Sequence, residues 1–151
     1  MTTPEIHALS GAQLNVAIAE AKGWRGGKYH PSAAYCLIRP GGKTPFGCDE
    51  VPLAEAVANR PTFGVYDLVD SIPAWTINPA LAYDLREEIR EAGCLLVAAD
   101  WPGDPRGDRG IYFRLPTGQT GTAFGANEHE ATGRAWLLAY YANAFTPNPQ
   151  S

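Results

Sequence analysis

Apolar residues recur at helical spacing near the start of the chain. Leu14, Ile18 and Ala21 stand at positions i, i+4 and i+7, which places them on one face of a helix. Ser10 and Gln13 precede this stripe at the spacing of a capping box, in which each side chain bonds the other residue's backbone amide. The pattern predicts an amphipathic helix that begins after Ser10.

A second helix is predicted over NPALAYDLREEIREAG, residues 78–93. Asn78 suits the N-cap, Pro79 suits the first helical position, and Gly93 supplies the left-handed residue that ends the helix. The expected buried stripe consists of Leu81, Leu85, Ile89 and Ala92. The charged residues between them are expected to form a solvated face.

A third helix is predicted to begin after Asn127, where NEHE (127–130) resembles a capping box. Its expected buried stripe consists of Ala131, Ala135, Leu138, Ala142 and Phe145. The tail over residues 147–151 is expected to be loose.

Strands are predicted between the second and third helices. CLLVAAD (94–100) is a continuous apolar run, which favours a buried strand. IYFRL (111–115) and TGTAF (120–124) follow after loops rich in glycine and proline. Residues 94–124 are therefore expected to form an antiparallel meander.

Residues 25–71 show a less regular pattern. AAYCLIR (33–39) is typical of a strand, and PGGKTP (40–45) is interpreted as a hairpin turn. PFGCDE (45–50) is expected to start a second short strand, VPLAEAVANR (51–60) has a helical composition, and TFGVYDLV (62–69) suggests a further strand.

The composition agrees with a folded domain of mixed class. The chain has 151 residues, of which 45% are hydrophobic, so that a moderate core can form. Helices and antiparallel strands together predict an α+β fold in a single domain over residues 1–146.

Charge limits the classes of partner. The net charge is −4 and the basic residues are scattered, so duplex nucleic acid is not expected as a partner. A small anionic ligand stays compatible with the sequence, because it needs only a few placed donors.

The cysteines and the chain start predict a location. Cys36, Cys48 and Cys94 form no CxxC and leave an odd thiol, which favours a reducing compartment. The first residues resemble no signal peptide, and no apolar run is long enough to cross a membrane. A soluble protein of the cytoplasm is therefore expected.

Several motifs of catalysis are incomplete. HEATG (129–133) lacks the second histidine of a zinc protease, and the GKT of residues 42–44 lacks the first glycine and the helix of a phosphate-binding loop. His30, Cys36 and Cys48 match no zinc-finger spacing, and the two cysteines are interpreted as buried thiols. No esterase motif GxSxG occurs. We therefore expect no catalytic residue, no metal site and no cofactor.

Two helix starts carry the residues that suit a binding site. The starts at Asn78 and Asn127 follow segments with hydroxyl groups or glycines, and helix N-termini favour phosphate or carboxylate groups. Aromatic side chains such as Trp75, Trp101 and Tyr83 suit stacking on a base. The alternative is that these residues only cap helices and fill the core.

The order of elements and several motifs resemble a known family. AEAKGW ends the first helix, ALAYDLREEIREAG forms the second, and TGTAFGANEHEA leads into GRAWLLAYYA. In these features the chain resembles the phage ABA sandwich domain family of small bacteriophage accessory proteins. The resemblance covers roughly residues 8–48 and 72–144, and residues 49–71 look like an insertion. It implies a three-layer sandwich, with helices on both sides of a mainly antiparallel sheet.

The chain departs from the family pattern ahead of the second helix. The family usually has Tyr-Ser-Thr-Asp there, whereas this chain has Trp75-Thr76-Ile77-Asn78. The aromatic residue and the cap are kept and one acid is lost, so that the ligand or its binding mode is expected to differ.

The expected function is non-enzymatic binding of a small nucleotide-like immune signal, as other small phage proteins sequester such signals against host defence. We expect a homo-oligomer with sites near the subunit contacts, and Arg39 is a further candidate source of charge. The candidate ligand-binding residues are Trp75, Thr76, Asn78, Trp101, Arg106, Arg109, Thr122 and Asn127. The alternatives are a module that blocks a host or phage protein and, more weakly, an enzyme that degrades nucleotides.

Overall fold

The computed structural model describes residues 1–32, 34–59 and 68–145. Its contacts divide the chain into two compact units. Unit 1 consists of Met1–Asn15 and Ala74–Ser151, and unit 2 consists of Val16–Pro73. The expected single domain over residues 1–146 stays a prediction, and the loose tail predicted over 147–151 lies outside the described residues.

The predicted elements among the described residues occur in the expected order, whereas the strand at residues 25–29 was not predicted. The helices are α1 (Thr3–Ala8), α2 (Gly11–Ala21), α3 (Leu53–Val57), α4 (Pro79–Glu91) and α5 (Glu128–Tyr141). The strands are β1 (Arg25–Tyr29), β2 (Tyr35–Ile38), β3 (Cys48–Val51), β4 (Leu95–Asp100), β5 (Arg109–Arg114) and β6 (Thr120–Gly125). The α+β class is confirmed, with two antiparallel sheets of three strands each, and a three-layer sandwich is not confirmed.

The sheet of unit 1 is the predicted meander. Its strand order is β4-β5-β6, and the register pairs Leu95 with Arg114 and Arg114 with Thr120. Helix α5 packs against β5 and β6. Ile111 and Phe113 are buried on the helix side, whereas Tyr112 between them is exposed, as the alternation of a strand requires.

Strand β4 corrects one expectation about burial. The apolar run over residues 94–100 predicted a buried strand, but the side chains of Leu95 and Val97 are 45% and 47% exposed. The strand lies at the edge of its sheet, and its Leu95 and Val97 share a face with the exposed Tyr112. A continuous apolar run therefore marks here an edge strand with an open face, and not a central one.

The two long helices of unit 1 begin at the predicted caps. The Oδ1 atom of Asn78 accepts hydrogen bonds from the N–H groups of Ala80 and Leu81, and Gly93 has a φ of +87° at the end of α4. Helix α5 is buried on more sides than its predicted stripe, since every residue from Ala131 to Leu137 is buried.

Unit 2 is built around β1, which pairs with β2 on one side and β3 on the other. The turn at residues 40–45 was predicted as a hairpin, and this is wrong, because the strands it joins are not neighbours. A tight turn is present, since the N–H of Gly42 donates to the carbonyl of Arg39 over 2.9 Å. The strand predicted over 62–69 falls mainly outside the described residues, and its last two residues begin a 3-10 helix (Leu68–Ser71).

Candidate functional site

Two of the candidate residues lie in the core of unit 1. The side chains of Trp75 and Thr76 are only 5% and 4% exposed. The N–H of Thr76 donates to Oδ1 of Asn15 over 3.1 Å, so this segment is held from inside the unit. The aromatic and hydroxyl groups ahead of α4 therefore pack and do not line a surface that a ligand can reach.

The start of α4 offers no unused backbone donor in its first turn. Pro79 has no N–H, and the N–H groups of Ala80 and Leu81 donate to the Asn78 side chain. The N–H of Ala82 donates to the Asn78 carbonyl over 3.0 Å. A phosphate at this helix end would have to displace the Asn78 side chain.

The start of α5 is acidic. Asn127 caps the helix by accepting from the N–H of Glu130 over 2.9 Å, and Glu128 and Glu130 both stand in the first turn. The carboxylates complement the positive end of the helix dipole. Glu128 and Glu130, paired with Arg86 and Arg134, already occupy the position that an anionic ligand would take.

Two of the candidate residues, Trp101 and Arg106, contact the same ring, that of Phe124 on β6. Trp101 contacts the Phe124 ring edge-on, with centroids 5.8 Å apart, and the guanidinium of Arg106 lies 3.9 Å from the centroid of the same ring. His7 contacts Phe124 at a centroid distance of 6.0 Å. We call Trp101, Arg106, His7 and Phe124 the Phe124 cluster.

The Phe124 cluster exposes an aromatic ring in a fixed orientation. Phe124 is buried, whereas Trp101 is 45% exposed. A Cβ atom on Gly110 would lie 2.6 Å from the Trp101 ring, so the absence of a side chain there lets the indole lie over β5. Edge-to-face contact and this close approach hold Trp101 as a platform on which a planar group can stack.

The cations beside this platform have carboxylate partners. Arg106 is bonded to Asp104 through Nε and Nη2, which raises the pKa of the guanidinium and lowers the pKa of the carboxyl group. Arg109 is bonded to Asp100, the main reason why its pKa is raised, and lies 3.6 Å from Glu128. A ligand anion would compete with these carboxylates for the guanidinium groups.

The sequence patterns missed the residues beneath the cluster. Arg134 is buried and donates to the carbonyls of Phe124 and Leu9 over 2.8 and 2.9 Å, as well as to Glu130. His7 accepts from the N–H of Phe124. His7 stands 117 positions before Phe124 and Arg134 stands ten positions after it, and no local pattern signals either contact.

Thr122 belongs to a different place in unit 1. It lines an open groove of about 400 Å³ that we call the threonine groove. Its lining includes Thr2, Thr3, Thr120, Thr122, Phe113 and Tyr141. The structure therefore brings Trp101 and Arg106 together at Phe124. It holds Arg109 beside Asp100 and Glu128, and it places Thr122 in the threonine groove.

The cysteines of unit 2 lie side by side. The Sγ atoms of Cys36 and Cys48 are 3.8 Å apart above Gly27, where a Cβ would lie 2.7 and 2.5 Å from them. Both residues are partly exposed, so the expectation of buried thiols is wrong for this pair, while Cys94 is buried. His30 instead pairs with Asp49, and the described residues contain no group of three metal-ligating side chains.

No protein-family model matches this chain, and comparisons with curated proteins and with solved structures find no match. The resemblance to the phage ABA sandwich domain family stays a prediction. Among the described residues, no helix combines the length and the apolar composition that crossing a membrane requires.

Proposed function

We propose that this chain is a non-enzymatic binder of a small nucleotide-like anion, and that the Phe124 cluster is its binding site. The observation that carries the proposal is the exposed Trp101 ring, which contacts Phe124, the ring that the guanidinium of Arg106 also contacts. Stacking on an aromatic ring contributes about 1–3 kcal/mol per base and needs no hydrogen-bond pattern. Arg106 and Arg109 supply charge for the phosphate groups.

The resemblance supplies the biological setting of this proposal. In that setting the chain is a phage accessory protein in the cytoplasm of the infected bacterium, and the ligand is an immune signal that the protein sequesters. The chain acts as a homo-oligomer, and the three-layer sandwich remains the architecture that the family implies.

Calorimetry with a panel of cyclic nucleotides, linear nucleotides and ADP-ribose derivatives tests the proposal. At least one member is expected to bind the wild type and to raise its melting temperature. Trp101→Ala is expected to weaken that binding by about 5- to 150-fold, which corresponds to the stacking energy of one base. Arg106→Gln is expected to weaken it as well, because a charged donor is lost.

Tyr83→Ala is the matched control, since Tyr83 is also an exposed aromatic residue but lies on α4 outside the Phe124 cluster. It is expected to bind the ligand like the wild type. Binding that survives Trp101→Ala would place the ligand elsewhere, and a panel without any binder would remove the nucleotide proposal.

A second candidate function is supported by the open face of the unit 1 sheet. Leu95, Val97 and Tyr112 are exposed together on this face, and exposed apolar patches mark protein contacts. Capture of a host or phage protein by the wild type, and its loss in Val97→Lys, supports this alternative.

The weaker enzymatic alternative is tested on the loaded protein. A binder releases its nucleotide intact after denaturation, whereas a degrading enzyme releases products. Mass spectrometry of the released molecule distinguishes the two outcomes.

A further inference from the structure

The register between β4 and β5 determines which backbone groups of β4 point toward the outer edge of the sheet. The N–H of Trp101 donates to the carbonyl of Asp108 over 2.7 Å, and this pair continues the register between β4 and β5. Hydrogen-bonded and non-hydrogen-bonded pairs alternate along an antiparallel ladder. The N–H and C=O groups of Leu96, Ala98 and Asp100 therefore point away from β5, toward the edge.

The opposite edge of the same sheet is closed by side chains. On β6, the N–H of Phe124 donates to His7 over 3.0 Å, and its carbonyl accepts from Arg134 over 2.8 Å. No described strand pairs with β4 on its outer side. One edge of this sheet is thus protected against pairing. The other, which we call the open edge, has no strand paired to it among the described residues.

Between Leu95 and Ala99 the open edge lacks the residues that prevent pairing, whereas Asp100 at its end is charged and is bonded to Arg109. Charged residues, prolines and bulges usually protect an exposed edge strand. From Leu95 to Ala99 the strand has none of the charged residues or prolines, and Ala98 at its centre is exposed. A second copy of the strand can approach without burying a charge there.

We propose that β4 pairs antiparallel with β4 of a second copy of this chain, about a two-fold axis at Ala98. This register places Ala98 opposite Ala98 of the second copy and Leu96 opposite Asp100 of the second copy. The three outward-facing residues of each strand then exchange about six backbone hydrogen bonds. The two-fold axis makes the two strands equivalent. The outward-facing N–H and C=O groups of β4 therefore bond the same groups of β4 in the second copy.

Charge and side-chain direction agree with this register. The two Asp100 residues stand at opposite ends of the paired segment, and each is already bonded to Arg109 of its own chain. The open faces of the two β4-β5-β6 sheets become one continuous face, on which Val97 lies beside Ala99 of the second copy. The pairing joins the β4-β5-β6 sheets of the two copies into one sheet of six strands.

The area predicts a weak dimer. A stable interface buries about 800 Å² per partner, and a single strand edge with its neighbouring side chains offers roughly half of that. We expect a dissociation constant on the order of 10–100 µM. The inference does not rest on the proposed ligand, because the Trp101 ring lies over Gly110 and Phe124, away from this edge.

Sedimentation velocity over about 1–300 µM tests the proposal on the full chain. The wild type is expected to shift from monomer to dimer. Ala98→Lys and Ala98→Asp each place like charges opposite one another and are expected to stay monomeric. An equimolar mixture of the two variants is expected to associate at least about tenfold more tightly than either alone, because opposite charges then face each other.

Tyr112→Ser is the control, since Tyr112 lies on the same open face but on the central strand β5. It is expected to dimerise like the wild type, and loss of the dimer would overturn edge pairing in favour of packing between faces. Far-UV circular dichroism verifies that each variant is folded.

Hydrogen exchange supplies a second measurement that needs no variant. The amides of Leu96, Ala98 and Asp100 are expected to gain protection as the concentration rises, whereas the amide of Phe124 keeps its protection. A wild type that stays monomeric at the highest concentration overturns the proposal, and so does a mixture of the charged variants that fails to associate.

Discussion

The N–H group of Phe124 donates a hydrogen bond to Nε2 of His7, over 3.0 Å and across 117 positions of the chain. The bond needs a lone pair on Nε2, so the proton of the neutral ring stands on Nδ1, which lies 3.0 Å from the Thr3 carbonyl and donates to it. A protonated ring has no acceptor for Phe124. At this point, only the neutral form of the His7 imidazole can join helix α1 to strand β6.

Acid is expected to weaken the protein through His7. Burial, followed by the charges of Arg134 and Arg106, lowers the pKa of His7 below its ordinary value of 6.5. The unfolded chain then binds a proton more readily than the folded one, so the contribution of His7 to stability is full above pH 6.5 and is lost as the pH falls below it. Thermal melts from about pH 7.5 to 5 measure this loss.

His7→Gln is the comparison, because the amide oxygen can accept the same bond and does not titrate. Its melting temperature is expected to vary less over this pH range than that of the wild type. Equal slopes for the two proteins would assign the acid sensitivity to another group.

Arg134 is expected to be one of the most sensitive positions of unit 1. Replacement by Met leaves the carbonyls of Leu9 and Phe124 without their donor and leaves Glu130 without its cation. Breaking a buried pair in this way costs about 3–5 kcal/mol. Arg90→Met is the control, because Arg90 forms an exposed pair with Glu87 and should change stability by less than about 1 kcal/mol. Urea unfolding of both variants gives the two values.

Gly125 is expected to tolerate no side chain. A Cβ atom there would lie 2.5 Å from the backbone nitrogen of Ala131 and 3.0 Å from the carbonyl oxygen of Asn127, and backbone atoms cannot rotate away. Gly125→Ala is expected to cost about 1–3 kcal/mol. At Gly11 the nearest atom, Oγ1 of Thr76, is 3.6 Å away, so Gly11→Ala is expected to be neutral or slightly stabilising. A comparison of their urea midpoints checks the difference, and equal midpoints would contradict it.

Asn78 is expected to act as a cap and not as a ligand residue. Asn78→Ala removes the acceptor for two backbone N–H groups and should cost about 1 kcal/mol. Asn78→Asp keeps an acceptor and places a negative charge at the positive end of α4, so stability should be retained. Calorimetric unfolding measures both. Ligand affinity that falls in Asn78→Asp while stability is kept would restore Asn78 to the binding site.

The helices could be predicted because their signals are local. Asn78 and Pro79 act on the first turn of α4, and Gly93 acts directly after its last turn. The meander was predictable for a related reason, since strands that follow one another in sequence usually pair as neighbours.

The candidate site was predicted only in part, because burial depends on the whole unit. The sequence predicts the same stacking role for Trp75 and Trp101, yet Trp75 lies in the core and Trp101 is exposed. The Phe124 cluster gathers residues from α1, β6 and the loop before β5, and a single sequence contains no signal for such distant contacts.

The connectivity of unit 1 sets an order of events during synthesis. Its first fifteen residues precede unit 2 in the chain, and the rest follows from Ala74. The carbonyls of Ile6 and Leu9 accept hydrogen bonds from Arg134, which the ribosome adds to the chain much later. The start of the chain must therefore wait for its partners until α5 has been made, while all residues of unit 2 are available earlier. Residues 1–15 therefore stay without the rest of unit 1 while the whole of unit 2 is synthesised.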